Sequence, residues 1–238
     1  MTEAKKESQA ADSRVDDLYA SVREAYGDKN PKANGYRLHQ YFLKEQALVL
    51  SEIPTAAETI IDIACGSGLF IQPADSDTRT VLGIDYNEQA CLAADKNGLI
   101  VLRGNAFSLP LADECCDVTI NCQFLNQQSA EQAKLLLDEM YRILKPGGRL
   151  IIIWRNDRAW IHKLAVFILR YYDRMIGRPD FPHYDNYIVD LMTYCREKGF
   201  SLVKTQLCFP LLNLKFDNFD SPAAKVLGAS CFMVLDKT

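Results

Sequence analysis

No stretch of the 238-residue chain is apolar for long enough to span a membrane. A spanning helix takes roughly 18 or more consecutive apolar residues, and the nearest candidate, Leu164 to Leu169, is far shorter. Basic charge is also scarce. Lys and Arg number 27 against 31 Asp and Glu, giving a net charge of -4. A chain that grips phosphate backbones through many contacts is usually basic, so nucleic acid is not the expected partner. Paired metal ligands are missing as well: the eight cysteines form no C-x-x-C pair of the zinc-binding kind, and no metal is expected. They read instead as small core hydrophobes with reduced thiols. Met1 to Arg14 is polar and lacks the apolar core of a signal peptide. With the reduced thiols, this makes a cytoplasmic protein the expectation. No internal repeat is visible.

What is present suits one α/β domain with additions. Hydrophobic residues make up 48% and charged residues 24%, the balance of an ordinary globular chain. Residues 1–14 read as a disordered tail, and 15–57 as an N-terminal helical cap. That cap carries helical patterns at Val15 to Tyr26 and Tyr36 to Ile53. Then the pattern changes. Thr59 to Ile63, Val81 to Asp85, Leu99 to Leu102, Asp117 to Asn121 and Arg149 to Trp154 are short apolar runs, as buried parallel strands are. Between the last two lies a clear helix, Ser129 to Leu144. Ser129 and Gln132 form its capping box, and Ala133, Leu136, Leu137, Met140 and Leu144 form its apolar stripe. Alternating strands and helices predict a doubly wound, Rossmann-like α/β fold, with its core over 58–154.

Residues 155–187, rich in aromatics and arginines, break the alternation and read as a helical lid insertion. Residues 188–238 resume the core, with a helix at Tyr187 to Lys198 and strands near Ser201–Leu207 and Ser230–Leu235. The expectation is a seven-stranded, mostly parallel sheet.

The glycines after Ile63 carry the chemistry. Small residues at a strand-to-helix turn let a ligand approach the backbone, with amides aimed at it from a helix N-terminus. Open α/β sheets bind ligands at the carboxyl ends of their strands, which is where Asp62 to Gly68 falls. A dinucleotide fingerprint, G-x-G-x-x-G, fits poorly, because its third glycine falls on Ile71. The phosphate-loop pattern G-x-x-x-x-G-K-[ST] is absent. What remains is Asp62-x-Ala64-Cys65-Gly66-x-Gly68, with a second strand-end acid, Asp85, 23 positions after Asp62. Such a carboxylate can accept both hydroxyls of a ribose. Taken singly, Asp62 could instead cap a helix, and Asp85 could be a solvated loop residue.

This segment resembles the first motif of class I methyltransferases, which use S-adenosylmethionine (SAM). Gly104-Asn105-Ala106-Phe107-Ser108-Leu109-Pro110 is similar to that family's third motif, and Arg142 to Leu150 to its signature before the fifth strand. The resemblance covers about residues 58 to 154. It is strongest with the small-molecule branch that includes ubiquinone and menaquinone methyltransferases. It implies a bound SAM held by Asp62, Ala64, Cys65, Gly66 and Gly68, with Asp85 on the ribose and Tyr86 against the adenine. Asn105 and Ala106 would lie at the adenine amino group, and Asn121 and Cys122 near the methionine part. Arg37 would pair with the cofactor carboxylate. Two positions depart from the pattern: Ala64, where glycine is usual and where alanine is expected to keep the turn to ordinary backbone angles, and Asn105, where Asp is common.

The acceptor is less legible. Exocyclic-amine methyltransferases typically carry Asn/Asp-Pro-Pro-aromatic after the fourth strand. Here that place reads Asn121-Cys122-Gln123-Phe124, without proline. A helix over Trp160 to Ile176 would present Trp160, Ile161, Leu164, Phe167, Ile168, Tyr171 and Met175 on one face, with His162, Lys163, Arg170 and Arg174 opposite. Such a face suits an apolar substrate, a peripheral membrane contact or packing on the protein's own sheet. The expected acceptor is a small apolar or aromatic molecule: a quinone, lipid or polyketide-like compound. His183, Tyr184 and Arg155 are the candidate catalytic residues. A SAM-binding or regulatory protein without catalysis is the alternative.

Overall fold

The computed structural model describes residues 39–156, 159, 160, 163, 164, 167, 168, 171, 175, 188–209, 214–217 and 221–238. The helix expected at Val15 to Tyr26, Arg37, His183 and Tyr184 lie outside the described residues. In chain order the elements begin with α1 (His39–Leu50) and β1 (Thr59–Ile63), then β2 (Thr80–Asp85), α2 (Glu88–Lys96) and β3 (Ile100–Arg103). β4 (Cys116–Cys122), α3 (Ala130–Ile143) and β5 (Leu144–Arg155) follow. The chain closes with α4 (Ile188–Lys198), β6 (Phe200–Phe209), β7 (Leu214–Phe216), α5 (Pro222–Leu227) and β8 (Ser230–Lys237).

These strands form one sheet in the order β3-β2-β1-β4-β5-β8-β6-β7. β1 to β5 are parallel, and β8 runs antiparallel to both of its neighbours. The sheet thus has eight strands where seven were expected. The extra one is β7, a three-residue edge strand paired with β6, too short to leave a periodic signal in the sequence.

Local chemistry explains the elements. Ser129 and Gln132 close the predicted capping box on α3, and the Asn87 side chain accepts from Ala90 N at the start of α2. The central strands β1, β4, β5 and β8 are buried on both faces, whereas β3, expected as a buried run, lies at the sheet edge with Ile100 and Leu102 exposed. Ile61, Ile63, Ile152 and Trp154 pack with Leu136, Leu137 and Met140 of α3. Ile60, Val118, Ile120, Ile151 and Phe232 pack with Phe42 and Val49 of α1. Each such side chain stabilises the fold by roughly 1.5–3 kcal/mol. Asp117 ties three strand starts together: its carboxylate accepts from Glu58 N and Thr59 N at 3.0 and 2.9 Å and from Lys145 Nζ at 2.7 Å. All eight cysteines are free thiols, five of them buried.

Between β1 and β2 the structure departs from expectation. No α-helix follows the glycine loop. Ile71 N and Gln72 N both bond to Gly68 O, and the chain then makes only a 3-10 turn at Gln72–Ala74 before β2. Pro73 enters that turn and Asp75 leaves it in extended backbone. The ligand-facing helix N-terminus expected from the sequence is therefore missing. In its place α1 covers the loop: Gln46 Nε2 donates to Leu69 O and Phe70 O at 2.8 and 3.0 Å, and Phe42 meets Phe70 edge to face.

Candidate functional site

The chain runs outward from β1 in both directions, to β2 and β3 on one side and to β4 and β5 on the other. The gap at the carboxyl ends of β1 and β4 is where an open α/β sheet takes its ligand. Two residues other than glycine adopt left-handed backbone there: Ala64 (φ 59°) after β1 and Gln123 (φ 60°) after β4. Such strain in side-chain-bearing residues clusters at functional sites. Ala64 does not keep to ordinary backbone angles, as the sequence suggested it would. It takes the conformation a glycine would take, as do Gly66 (φ 59°) and Gly68 (φ 74°) beyond it. Gly68 is also sterically required, since a Cβ there would lie 2.8 Å from Leu99 Cδ2.

Two carboxylates frame this loop. Asp85, at the end of β2, accepts from Gly66 N through Oδ2 at 2.8 Å and from Asn87 N through Oδ1 at 2.9 Å. These bonds fix its plane. Asp62 is 1% exposed, and neither of its oxygens has a hydrogen-bond partner among the described residues. Burial, and then the charge of Asp85, push its carboxyl well above the usual range. A buried polar group without a partner is destabilising by roughly 1–3 kcal/mol. Asn121 Oδ1 and Gln123 Oε1 nearby also lack a partner among the described residues. Hydrogen-bond acceptors concentrated here fit a ligand rich in hydrogen-bond donors.

The other sequence-derived residues divide. Cys65 is buried beneath β2, and burial pushes its thiol up. Tyr86 is 61% exposed, with the Arg103 guanidinium 5.9 Å from its ring centre. The exposed Asn105 uses Oδ1 to accept from Phe107 N at 2.9 Å, holding the turn Asn105–Ser108. Ala106 packs its methyl into the core, which leaves only its backbone to a ligand. Asn121 donates from Nδ2 to Ile63 O at 2.7 Å, tying β4 to the end of β1. Cys122 is half-buried, its thiol held well above its ordinary value by burial and by Asp62 and Glu45. Arg155 ends β5 opposite Ser230.

Two groupings escaped the sequence reading. Glu45, fully buried on α1, accepts from Ser230 Oγ at 2.6 Å and from Gln123 Nε2 at 2.8 Å. Tyr41 OH lies 2.5 Å from Ser230 Oγ. Because the serine proton goes to Glu45, the tyrosine is the donor in that second bond. The signal for Glu45 was its spacing, on one helical face with Phe42 and Val49. Second, α3 anchors the Asn105 loop. Glu139 Oε2 accepts from Leu109 N at 2.6 Å, and Arg142 donates to Leu109 O, Leu111 O, Asp113 and Glu139.

A doubly wound sheet with strand-end carboxylates around a left-handed glycine loop at its switch point is the class I methyltransferase fold. A SAM-dependent methyltransferase of Archaeoglobus fulgidus superposes with a TM-score of 0.65 at 18% identity, over 85% of this chain and 96% of that one. Residues 61–152 match the methyltransferase domain family. A demethylmenaquinone methyltransferase of Shouchella clausii is 27% identical over 158 residues, 61% of this chain and 64% of that protein. A probable tRNA methyltransferase of Bos taurus is 31% identical over 150 residues, 62% of this chain and 30% of that protein. The chain spans less than two thirds of the length of these curated relatives.

Proposed function

We propose that the chain is a SAM-dependent methyltransferase acting on a small apolar or aromatic acceptor. The observation that carries this reading is Asp62: a buried carboxyl without a hydrogen-bond partner among the described residues, beside a loop strained into left-handed backbone. SAM supplies a methyl group on a cationic sulfur. In this reading Asp85 accepts from the ribose hydroxyls, and Asp62 from a donor on the cofactor. Transfer is an in-line displacement, so alignment dominates, and orientation of this kind contributes roughly 7–11 kcal/mol. Where the acceptor must lose a proton, Tyr41, Ser230 and Glu45 form a hydrogen-bonded chain that ends on a buried carboxylate. Likeness to a quinone-modifying relative supports the acceptor class, and the net charge of -4 speaks against nucleic acid.

The shortened crossover after Gly68 favours a second reading: SAM binding without transfer. Calorimetry with S-adenosylhomocysteine, followed by transfer of labelled methyl to phenols, quinols, lipids, amines and tRNA, separates the two. No binding would sink both. Binding without turnover on any acceptor would select the second, and methylation confined to amines or tRNA would overturn the acceptor class.

A further inference from the structure

The described positions between Trp160 and Met175 are all helical. Six of them carry large apolar side chains that are exposed: Trp160 (68%), Leu164 (48%), Phe167 (71%), Ile168 (56%), Tyr171 (66%) and Met175 (71%). At 3.6 residues per turn, these six fall within an arc of about 100°. Scattered apolar residues on a surface need no explanation, but a contiguous strip of this kind does. The helix is rooted firmly at one end. Asn156 donates from its backbone N to Ala229 O at 2.8 Å and from Nδ2 to Gly228 O at 2.7 Å. Ala159 is fully buried, and Lys163 N bonds to Ala159 O. The root adjoins Arg155, at the carboxyl end of β5.

Charge identifies the occupant. Residues 158–178 carry Arg158, Lys163, Arg170, Arg174 and Arg178 against the single acid Asp173, in a chain whose net charge is -4. A second copy of this helix laid on the first would bring like charges together. A lid turned onto its own sheet would bury the strip, which is instead exposed. A segment with an excess of basic residues, whose described helical positions expose an apolar strip rich in aromatics, has the composition that lies in the plane of an anionic bilayer. We propose that this segment docks on an anionic lipid surface, with its exposed apolar strip sunk among the acyl chains and its net positive charge favouring anionic headgroups. The proposal does not depend on catalysis. If the proposed acceptor class is correct, it also supplies the route by which a lipid-soluble acceptor reaches the site.

Flotation of the full chain with vesicles tests it. The expected result is binding to phosphatidylcholine vesicles containing phosphatidylglycerol, weaker binding to phosphatidylcholine alone, and loss with rising salt. Phe167→Glu combined with Tyr171→Glu should lower partitioning at least about tenfold. The melting temperature and the affinity for S-adenosylhomocysteine should stay unchanged. No binding by the wild-type chain to either vesicle would overturn the proposal, as would a double variant that binds like wild type. A wild-type dimer that the double variant breaks, without vesicle binding by either, would also overturn it and assign the face to a second copy. Failure of the wild-type chain to bind S-adenosylhomocysteine would refute only the proposed function.

Discussion

Replacing Ala64 by glycine should make the unliganded protein more stable, not less. Ala64 holds a φ of 59°, a backbone region that costs an L-residue roughly 1–2 kcal/mol. Glycine removes that strain. Its extra freedom in the unfolded chain takes back about 0.5–1 kcal/mol. The methyl is only half-buried, so its loss leaves little cavity. The net effect is a gain of about 0.5–1 kcal/mol. For a chain of this size each kcal/mol moves the melting temperature by roughly 2–4 °C, so Ala64→Gly should raise it by about 1–4 °C. Ala64→Val, which forces a β-branched side chain into the same region, should lower it by more than that gain. Thermal unfolding followed by circular dichroism gives both values. Calorimetry with S-adenosylhomocysteine should show affinity kept or tightened in the glycine variant. A glycine variant that melts below wild type, or a valine variant that melts with it, would refute the reasoning.

Asp62→Asn should separate stability from ligand binding. The folded chain holds the Asp62 proton more tightly than the unfolded chain. The stability this provides is full below the usual carboxylate range and is lost as pH rises above it. The asparagine variant should therefore melt above wild type, by a margin that widens from about pH 5 to about pH 8, while losing affinity for S-adenosylhomocysteine; a margin that narrows contradicts the assignment. Gly68→Ala places a methyl 2.8 Å from Leu99 Cδ2 in left-handed backbone. Denaturant titration should show a loss of about 2 kcal/mol or more, and a neutral result would mean the loop has room to move. Glu139→Gln weakens the clamp on Leu109 and Arg142 without touching the cofactor loop itself. Affinity for S-adenosylhomocysteine should fall about three- to tenfold, against no change if the Asn105 loop holds itself.

The parallel strands and α3 were legible because each has a strong local signal: an apolar run that meets turn residues, or a complete capping box. β7 has three residues and no such signal. The helix missing after Gly68 is foreshadowed by Pro73 and the turn residues Asp75, Ser76 and Asp77, whereas the glycines alone read as a strand-to-helix turn. Asp62, Gly66, Gly68 and Asp85 were legible as one cluster because strand ends bring them together at fixed spacing. Glu45, Gln123 and Ser230 meet only through tertiary packing: |i−j| is 78 for the first pair and 185 for Glu45 and Ser230. No local spacing encodes that contact. Ala64 was noticed as a departure, but its backbone angle depends on the strands that flank it.

Gln46 has a meaning beyond its two hydrogen bonds. In a helix, the carbonyls of Leu69 and Phe70 would be satisfied by amides further along the same segment. Here one side chain from a helix 23 residues earlier does so. The short crossover and the long amide at position 46 are complementary, because without Gln46 these two carbonyls lose the donor that reaches them. Related chains should therefore sort together at these two places, with glutamine accompanying the short connection and freer choice wherever the full helix is kept.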